Sequence, residues 1–245
     1  MSEAAERTDR TTAASGQLAS GWRQYLRAIA ALVRKDIAAE VRSWELVGAM
    51  LVFSLLVILL FNFALELQVQ LRSEITSGVL WVTLTFAGTL GLNRAMASER
   101  ERNSLDGLLL TPVDRSALYF GKTLANWLFM LLVAAIVLPL FGLLYSTNLV
   151  SPGLLLVVLM GTAGYAAVGT LLATMAIQTR TRDILLPILL FPVVLPALIA
   201  AVKASDGYLQ GLPPDAIRPW LNLLVAFDVI FVAVAMMLYD SVVQE

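Results

Sequence analysis

The stretch "TLANWLFMLLVAAIVLPLFGLLY", residues 123–145, runs without a single charge. A helix of that length spans about 35 Å at 1.5 Å per residue, enough to cross roughly 30 Å of hydrocarbon. The letters that lead into it, "FGKT" at 120–123, reproduce the end of a phosphate-binding P-loop. A P-loop also needs a first glycine five positions before the second, and a strand to launch it, so that backbone N–H groups can surround a phosphate. Ser116 stands at the glycine position and "LDGLLLTPVD" (105–114) lies upstream. An apolar run of this kind cannot be the helix of a soluble nucleotide-binding domain. The sequence therefore predicts a membrane helix, with Lys122 as an interfacial cation at its mouth and Gly121 allowing the turn into it.

The rest of the chain agrees. Hydrophobic residues make up 59% and charged residues 14%, with a mean hydropathy of +0.80, against roughly 45–50% apolar residues in soluble domains. Six apolar runs are long enough to span, at about 46–65, 78–93, 123–145, 153–177, 184–202 and 219–239. The sixth is interrupted by Asp228 alone. The expected fold class is an all-α polytopic membrane protein with six transmembrane helices, an N-terminal interfacial amphipathic helix and a cytoplasmic helix between spans two and three. Residues 1–20, rich in Ser, Thr and Ala and charged, read as a disordered cytoplasmic tail without a cleavable signal, and 21–245 as one transmembrane domain.

Charge distribution orients the spans. Of 17 Lys and Arg, fourteen precede span one or lie between spans two and three or four and five, leaving Arg72, Lys203 and Arg218 for the other side. The excess of basic residues marks the cytoplasmic face, so both termini are expected there. The net charge of −1 then says nothing about partners, because the asymmetry across the membrane is what matters; no nucleic-acid partner is expected. With no His and no Cys, the chain lacks the commonest metal and haem ligands and the commonest general base. No catalytic residue, no metal site and no directly bound cofactor are expected; the longest inner loop, 94–122, is too short for an ATPase, so any ATP is bound by a partner chain.

From Trp22 to Trp44 the apolar residues Trp22, Tyr25, Leu26, Ile29, Leu32, Val33, Ile37, Val41 and Trp44 recur at helical spacing opposite Arg23, Arg27, Arg34, Lys35 and Arg42. This is the pattern of a basic helix of about 22–45 lying in the membrane interface. Asp36 and Glu40 break its stripe one turn apart; they either face water or meet basic residues of the inner loop or a partner. Thr83, Ala87, Gly91 and Ala95 in span two, and Thr162, Ala166, Thr170 and Thr174 in span four, form small-residue stripes that read as packing seams. Pro187, Pro192 and Pro196 predict a bent span five. The following "KASDGYLQGLPPDAIRP" (203–219) is expected to be an outer loop or short re-entrant helices.

Asp228 falls near the middle of span six, where a charge costs about 2.5–3.5 kcal/mol, and needs a partner or a proton. Asn93, Asn62, Asn126 and Asn222 lie near span ends, where a polar side chain is cheaper.

Between spans two and three, "NRAMASERERNSLDGLLLTPVDRSALYFGK" (93–122) opens with Ser98 and Glu101 in capping-box spacing. Leu105, Leu108 and Leu109 then give a short helix one apolar face before Thr111 and Pro112 stop it. Such a face fits a partner groove or lies flat on the headgroups.

"ERERNSLDGLLLTPVDRSALYFGK" (99–122) resembles the signature of ABC-2-type permeases. "FAGTLGLNR" (86–94), "RTRDILLPILLFPVVLPALIAAVKAS" (180–205) and "WLNLLVAFDVIF" (220–231) are similar to the CcmB family of cytochrome c maturation, and the likeness covers the chain from about Arg34 onward. The resemblance implies a six-span permease of the bacterial inner membrane present as two copies, each above a CcmA-like ATPase subunit, beside a CcmC-like haem-handling membrane subunit and a small CcmD-like helper. It implies that ATP hydrolysis drives haem handling or release of a haem-loaded periplasmic CcmE-like chaperone, with haem held by a partner. It assigns ATPase coupling to Glu99, Arg100, Glu101, Ser104, Leu105, Asp106, Gly107, Leu108, Leu109, Leu110, Thr111 and Pro112. The alternatives are an ABC-2 permease exporting a lipid, polysaccharide or drug, and an ATP-independent assembly scaffold.

Overall fold

A computed structural model of the chain describes residues 2–64, 69–101, 115–145, 147, 149–176 and 182–242. Among the described residues there are seven helices: α1 (Ser2–Ser43), α2 (Glu45–Ala64), α3 (Val69–Glu101), α4 (Arg115–Tyr145), α5 (Pro152–Ala176), α6 (Arg182–Leu209) and α7 (Pro214–Val242). The last six each contain a stretch long and apolar enough to cross a membrane, at Glu45–Ala64, Ile75–Ala97, Ser116–Tyr145, Pro152–Ala176, Ile184–Leu209 and Pro214–Met237. The protein is an all-α polytopic membrane protein.

Local chemistry sets the helix ends. Ser151 caps α5, its Oγ accepting the Leu154 N–H at 3.3 Å, with Pro152 in the first helical position, where a missing N–H costs nothing. At the far end of α6, Gly211 has φ +67°, and Leu212 N–H returns to Gly207 C=O at 2.9 Å. That is a Schellman stop, in which glycine takes the left-handed position without a Cβ clash. Pro214 then starts α7.

Burial ranks the helices. In α3 and α5, 72% of the spanning window is buried inside the chain, against 28% in α2 and 17% in α7. The two central helices are those with small-residue stripes, and Thr83, Ala87, Thr162, Ala166 and Thr170 are fully buried between helices. The stripes are seams within this chain. A Cβ at Gly161 would run into the Trp81 indole, so glycine is what lets α5 approach α3. Polar side chains fasten α5 to its neighbours: Tyr165 O–H donates to Thr85 C=O at 2.8 Å on α3, Asn126 Nδ2 to Thr170 Oγ1 at 2.9 Å and Tyr119 O–H to Ala167 C=O at 3.0 Å from α4. Other threonine hydroxyls turn back to carbonyls four residues earlier, as Thr83 does to Val79 and Thr162 to Val158, which satisfies them within their own helix.

Three differences from the sequence expectations have physical causes. The segment 203–219 is not a loop: α6 continues to Leu209 and α7 resumes at Pro214, because Ala204, Ser205 and Gly207 pack inward while Lys203 stays exposed. This is an amphipathic continuation of both helices. α1 begins at Ser2 rather than Trp22, through a proline-free segment rich in Ala. The helix of span three starts at Arg115, so Gly121 and Lys122 lie inside it rather than at a turn. The three prolines expected to bend span five, Pro187, Pro192 and Pro196, all lie inside the continuous helix α6.

Candidate functional site

The candidate site is the junction of α1 with the first two turns of α4, the helix entered directly from the segment expected to couple to an ATPase. α1 has three sides here. Tyr25, Ile29, Leu32 and Val33 turn inward, Leu26, Ile37, Val41 and Trp44 are exposed apolar residues, and Arg23, Arg27, Arg34, Lys35 and Arg42 form the exposed basic side. The single membrane-facing stripe read from the sequence is thus divided between the bundle and the lipid. Asp36 and Glu40 belong to the inward side, because one helical turn separates each from the next inward residue.

Leu32 is buried against α4 with Leu118 and Tyr119. A Cβ on Gly121 would lie 2.8 Å from Leu32 Cδ1 and 3.0 Å from Leu32 Cβ. Gly121 is therefore a contact glycine that lets α1 seat on α4, not a turn glycine. One turn along, Lys122 Nζ lies 2.9 Å from Asp36 Oδ2, with side chains only 10% and 17% exposed, and Lys35 Nζ lies 3.4 Å from the other Asp36 oxygen. The cation whose letters imitate a P-loop is engaged by a carboxylate of its own chain. Ser116 Oγ reaches the Tyr25 hydroxyl at 3.2 Å, closer still to the start of α4.

Glu40 carries the contact on to α2. Its carboxylate accepts the Val47 N–H at 2.7 Å and the Leu46 N–H at 3.3 Å, capping two amides that helix geometry leaves unpaired, where the helix dipole also favours a negative charge. Between the two helices Trp44 alone is non-helical, with φ 54°, a left-handed conformation costly for a large residue. α1 and α2 thus meet at a one-residue elbow braced by Glu40. Arg94 Nη2 to Glu45 Oε2 at 2.7 Å adds an exposed link between α3 and the start of α2.

Of the residues assigned to coupling, Glu99, Arg100 and Glu101 form the last turn of α3. Ser104, Leu105, Asp106, Gly107, Leu108, Leu109, Leu110, Thr111 and Pro112 lie outside the described residues. Asn93 is half-buried near the same end of α3. Asp228 stands apart from the junction, midway along α7, with Oδ1 packed on the bare backbone of Gly164 and without a hydrogen-bond partner among the described residues. The structure brings Asp36, Glu40 and Lys122 together and leaves Asp228 alone. Sequence reasoning missed the seating of Leu32 on Gly121 and the elbow at Trp44. The glycine was visible but its partner lies 89 positions earlier, and Trp is not a residue that announces a positive φ.

A family model described as CcmB protein matches residues 27–244. The chain is similar to Heme exporter protein B of Pseudomonas aeruginosa, at 33% identity over 177 residues, 72% of this chain and 79% of that protein. It is also similar to Heme exporter protein B of Bradyrhizobium diazoefficiens, at 30% identity covering 76% and 84% of the two chains, and of Rhodobacter capsulatus, at 31% identity covering 74% and 84%.

Proposed function

Because the chain belongs to the CcmB family, we propose that it is the membrane-spanning permease subunit of an ABC-type complex for cytochrome c maturation, without catalytic activity of its own. A separate CcmA-like subunit hydrolyses ATP, and this chain passes the resulting movement to haem handling or to release of a haem-loaded CcmE-like chaperone. The relatives carry haem export in their name. Haem is held by a CcmC-like membrane partner, assisted by a CcmD-like helper, since this chain offers neither His nor Cys to iron. Two copies work together, with both termini on the cytoplasmic side, where the basic residues cluster.

The observation that carries this reading is the seating of α1 on the start of α4. A push on residues 99–112 reaches Arg115 and Lys122 first. From there the Asp36 ion pair and the Glu40 cap lead into α2, while Asn126 and Tyr119 lead into α5. Packed helices joined in this way shift as units rather than deform.

The test is cytochrome c maturation in cells lacking the native gene. The chain should restore covalently bound haem when co-expressed with its ATPase subunit, and fail to do so when that subunit is hydrolysis-dead. Restoration with the dead ATPase would overturn ATP coupling and favour a scaffold.

A further inference from the structure

On the lipid-facing side of α3 and α6 lies a groove of about 520 Å³, within the range of roughly 300–1,000 Å³ typical of ligand sites. Val82 and Phe86 from α3 and Leu195 and Ile199 from α6 form its open walls, each 44% exposed or more. Its inner end is closed by the Phe86–Phe191 ring pair, with centroids 5.1 Å apart. Lys203 stands at the other end, the end opposite α1. The twelve residues from Phe191 to Lys203 correspond to about 18 Å of helix, close to the roughly 15 Å depth of one hydrocarbon leaflet.

The polar groups of the lining are already used, with one exception. Trp81 Nε1 donates to Ser205 Oγ at 2.9 Å and Thr85 Oγ1 to Trp81 C=O at 2.6 Å. Lys203 is exposed and forms no ion pair among the described residues; Asp206, one turn on, accepts Gln210 Nε2 at 2.9 Å. The groove therefore has hydrocarbon for its length and a single free cation at its interfacial end. None of its lining residues is a His, Cys, Met or Tyr, so it holds no iron ligand.

The geometry points to a binding site for an anionic phospholipid, one acyl chain lying between α3 and α6 and the phosphate at Lys203. A hydrogen-bonding substrate would find no partner along the walls, whereas an acyl chain needs none. The ammonium, snorkelling to the interface, supplies the charge that prefers an anionic headgroup.

The experiment uses the full chain in nanodiscs of equal parts phosphatidylglycerol and phosphatidylcholine, with a photoreactive phenylalanine replacing Ile199 and the adduct identified by mass. Phosphatidylglycerol adducts should exceed phosphatidylcholine adducts about fivefold, the worth of one basic residue near an anionic surface. Lys203→Gln should bring the two to parity. Gly78 also lines the groove and a Cβ there meets nothing within 4 Å, so Gly78→Leu should fill the space and remove the adduct without disturbing the fold. Native mass spectrometry of the wild-type chain released from the same discs gives a reading independent of any substitution, and should show retained phosphatidylglycerol. Equal adducts of both lipids in the wild type, adducts unchanged by Gly78→Leu, or a protein or haem adduct at position 199 in native membranes would overturn the assignment.

Discussion

Lys122 and Asp36, 86 positions apart in sequence, meet at 2.9 Å where α1 crosses the start of α4. Because both side chains are largely withdrawn from solvent, Asp36→Asn takes this carboxylate from a charged Lys122, and Lys122→Met leaves Asp36 with the longer Lys35 contact at 3.4 Å. Lys122→Met or Asp36→Asn should each destabilise the detergent-solubilised protein by about 1–3 kcal/mol. The exchanged pair Asp36→Lys with Lys122→Asp should recover part of that loss. Melting curves check this, and a single variant that melts with the wild type would mean that the pair contributes nothing.

Gly121 and Leu32 give a second test of the same junction. Alanine normally stabilises a helix interior by about 1 kcal/mol over glycine. Here Gly121→Ala should instead lower the melting temperature, since its Cβ would lie 2.8 Å from Leu32 Cδ1. Adding Leu32→Ala, which removes Cδ1 but keeps the Cβ at 3.0 Å, should recover part of that loss. If Gly121→Ala is harmful regardless of residue 32, glycine serves a turn or a phosphate and the contact account fails.

Glu40 caps α2 through the amides of Leu46 and Val47. Glu40→Ala should cost about 1–2 kcal/mol, the usual value of a lost cap, while Glu40→Gln, which keeps an accepting oxygen, should cost less. Hydrogen exchange at Leu46 and Val47 should quicken in the alanine variant. Exchange unchanged at those two amides would place the Glu40 contribution elsewhere.

Asp228 differs, because its buried oxygen on Gly164 has no partner among the described residues. Removing an unsatisfied polar atom should not weaken the fold. Asp228→Asn and Asp228→Leu should therefore melt no lower than the wild type. If Asp228→Leu nevertheless abolishes cytochrome c maturation, the carboxyl serves function rather than packing, as expected of an ionisable group retained at a cost inside a membrane. A fall in stability for both variants would contradict the contact seen in the structure.

The membrane spans were legible because apolarity over about 20 residues is decisive in any context. Their ends were not. Lys203 and Asp206 look like loop residues until Ala204 and Ser205, between them, are seen packing inward. The small-residue stripes of α3 and α5 were readable as seams, since close approach depends on residue size alone. A meeting of Asp36 with a basic residue of the inner loop was one of two open readings, and Lys122 is that residue; the Glu40 and Asp228 contacts were beyond local reading, since each depends on which helices become neighbours, a property that no spacing within one helix encodes. The "FGKT" letters were correctly excluded as a P-loop by their missing glycine, yet the true task of Gly121 required Leu32 to be visible.

The central claim is that residues 99–112 hand the movement of a separate ATPase to α4. The most direct measurement is recovery of the tagged chain from its native membrane, with bound proteins identified, for the wild type and for Leu108→Glu and Leu109→Glu. The account predicts that the wild type brings down an ATPase and a haem-binding membrane protein. It also predicts that each glutamate, by placing a charge in an apolar groove, loses the ATPase while keeping the membrane partner. An ATPase retained by both variants, or none recovered with the wild type, would contradict it.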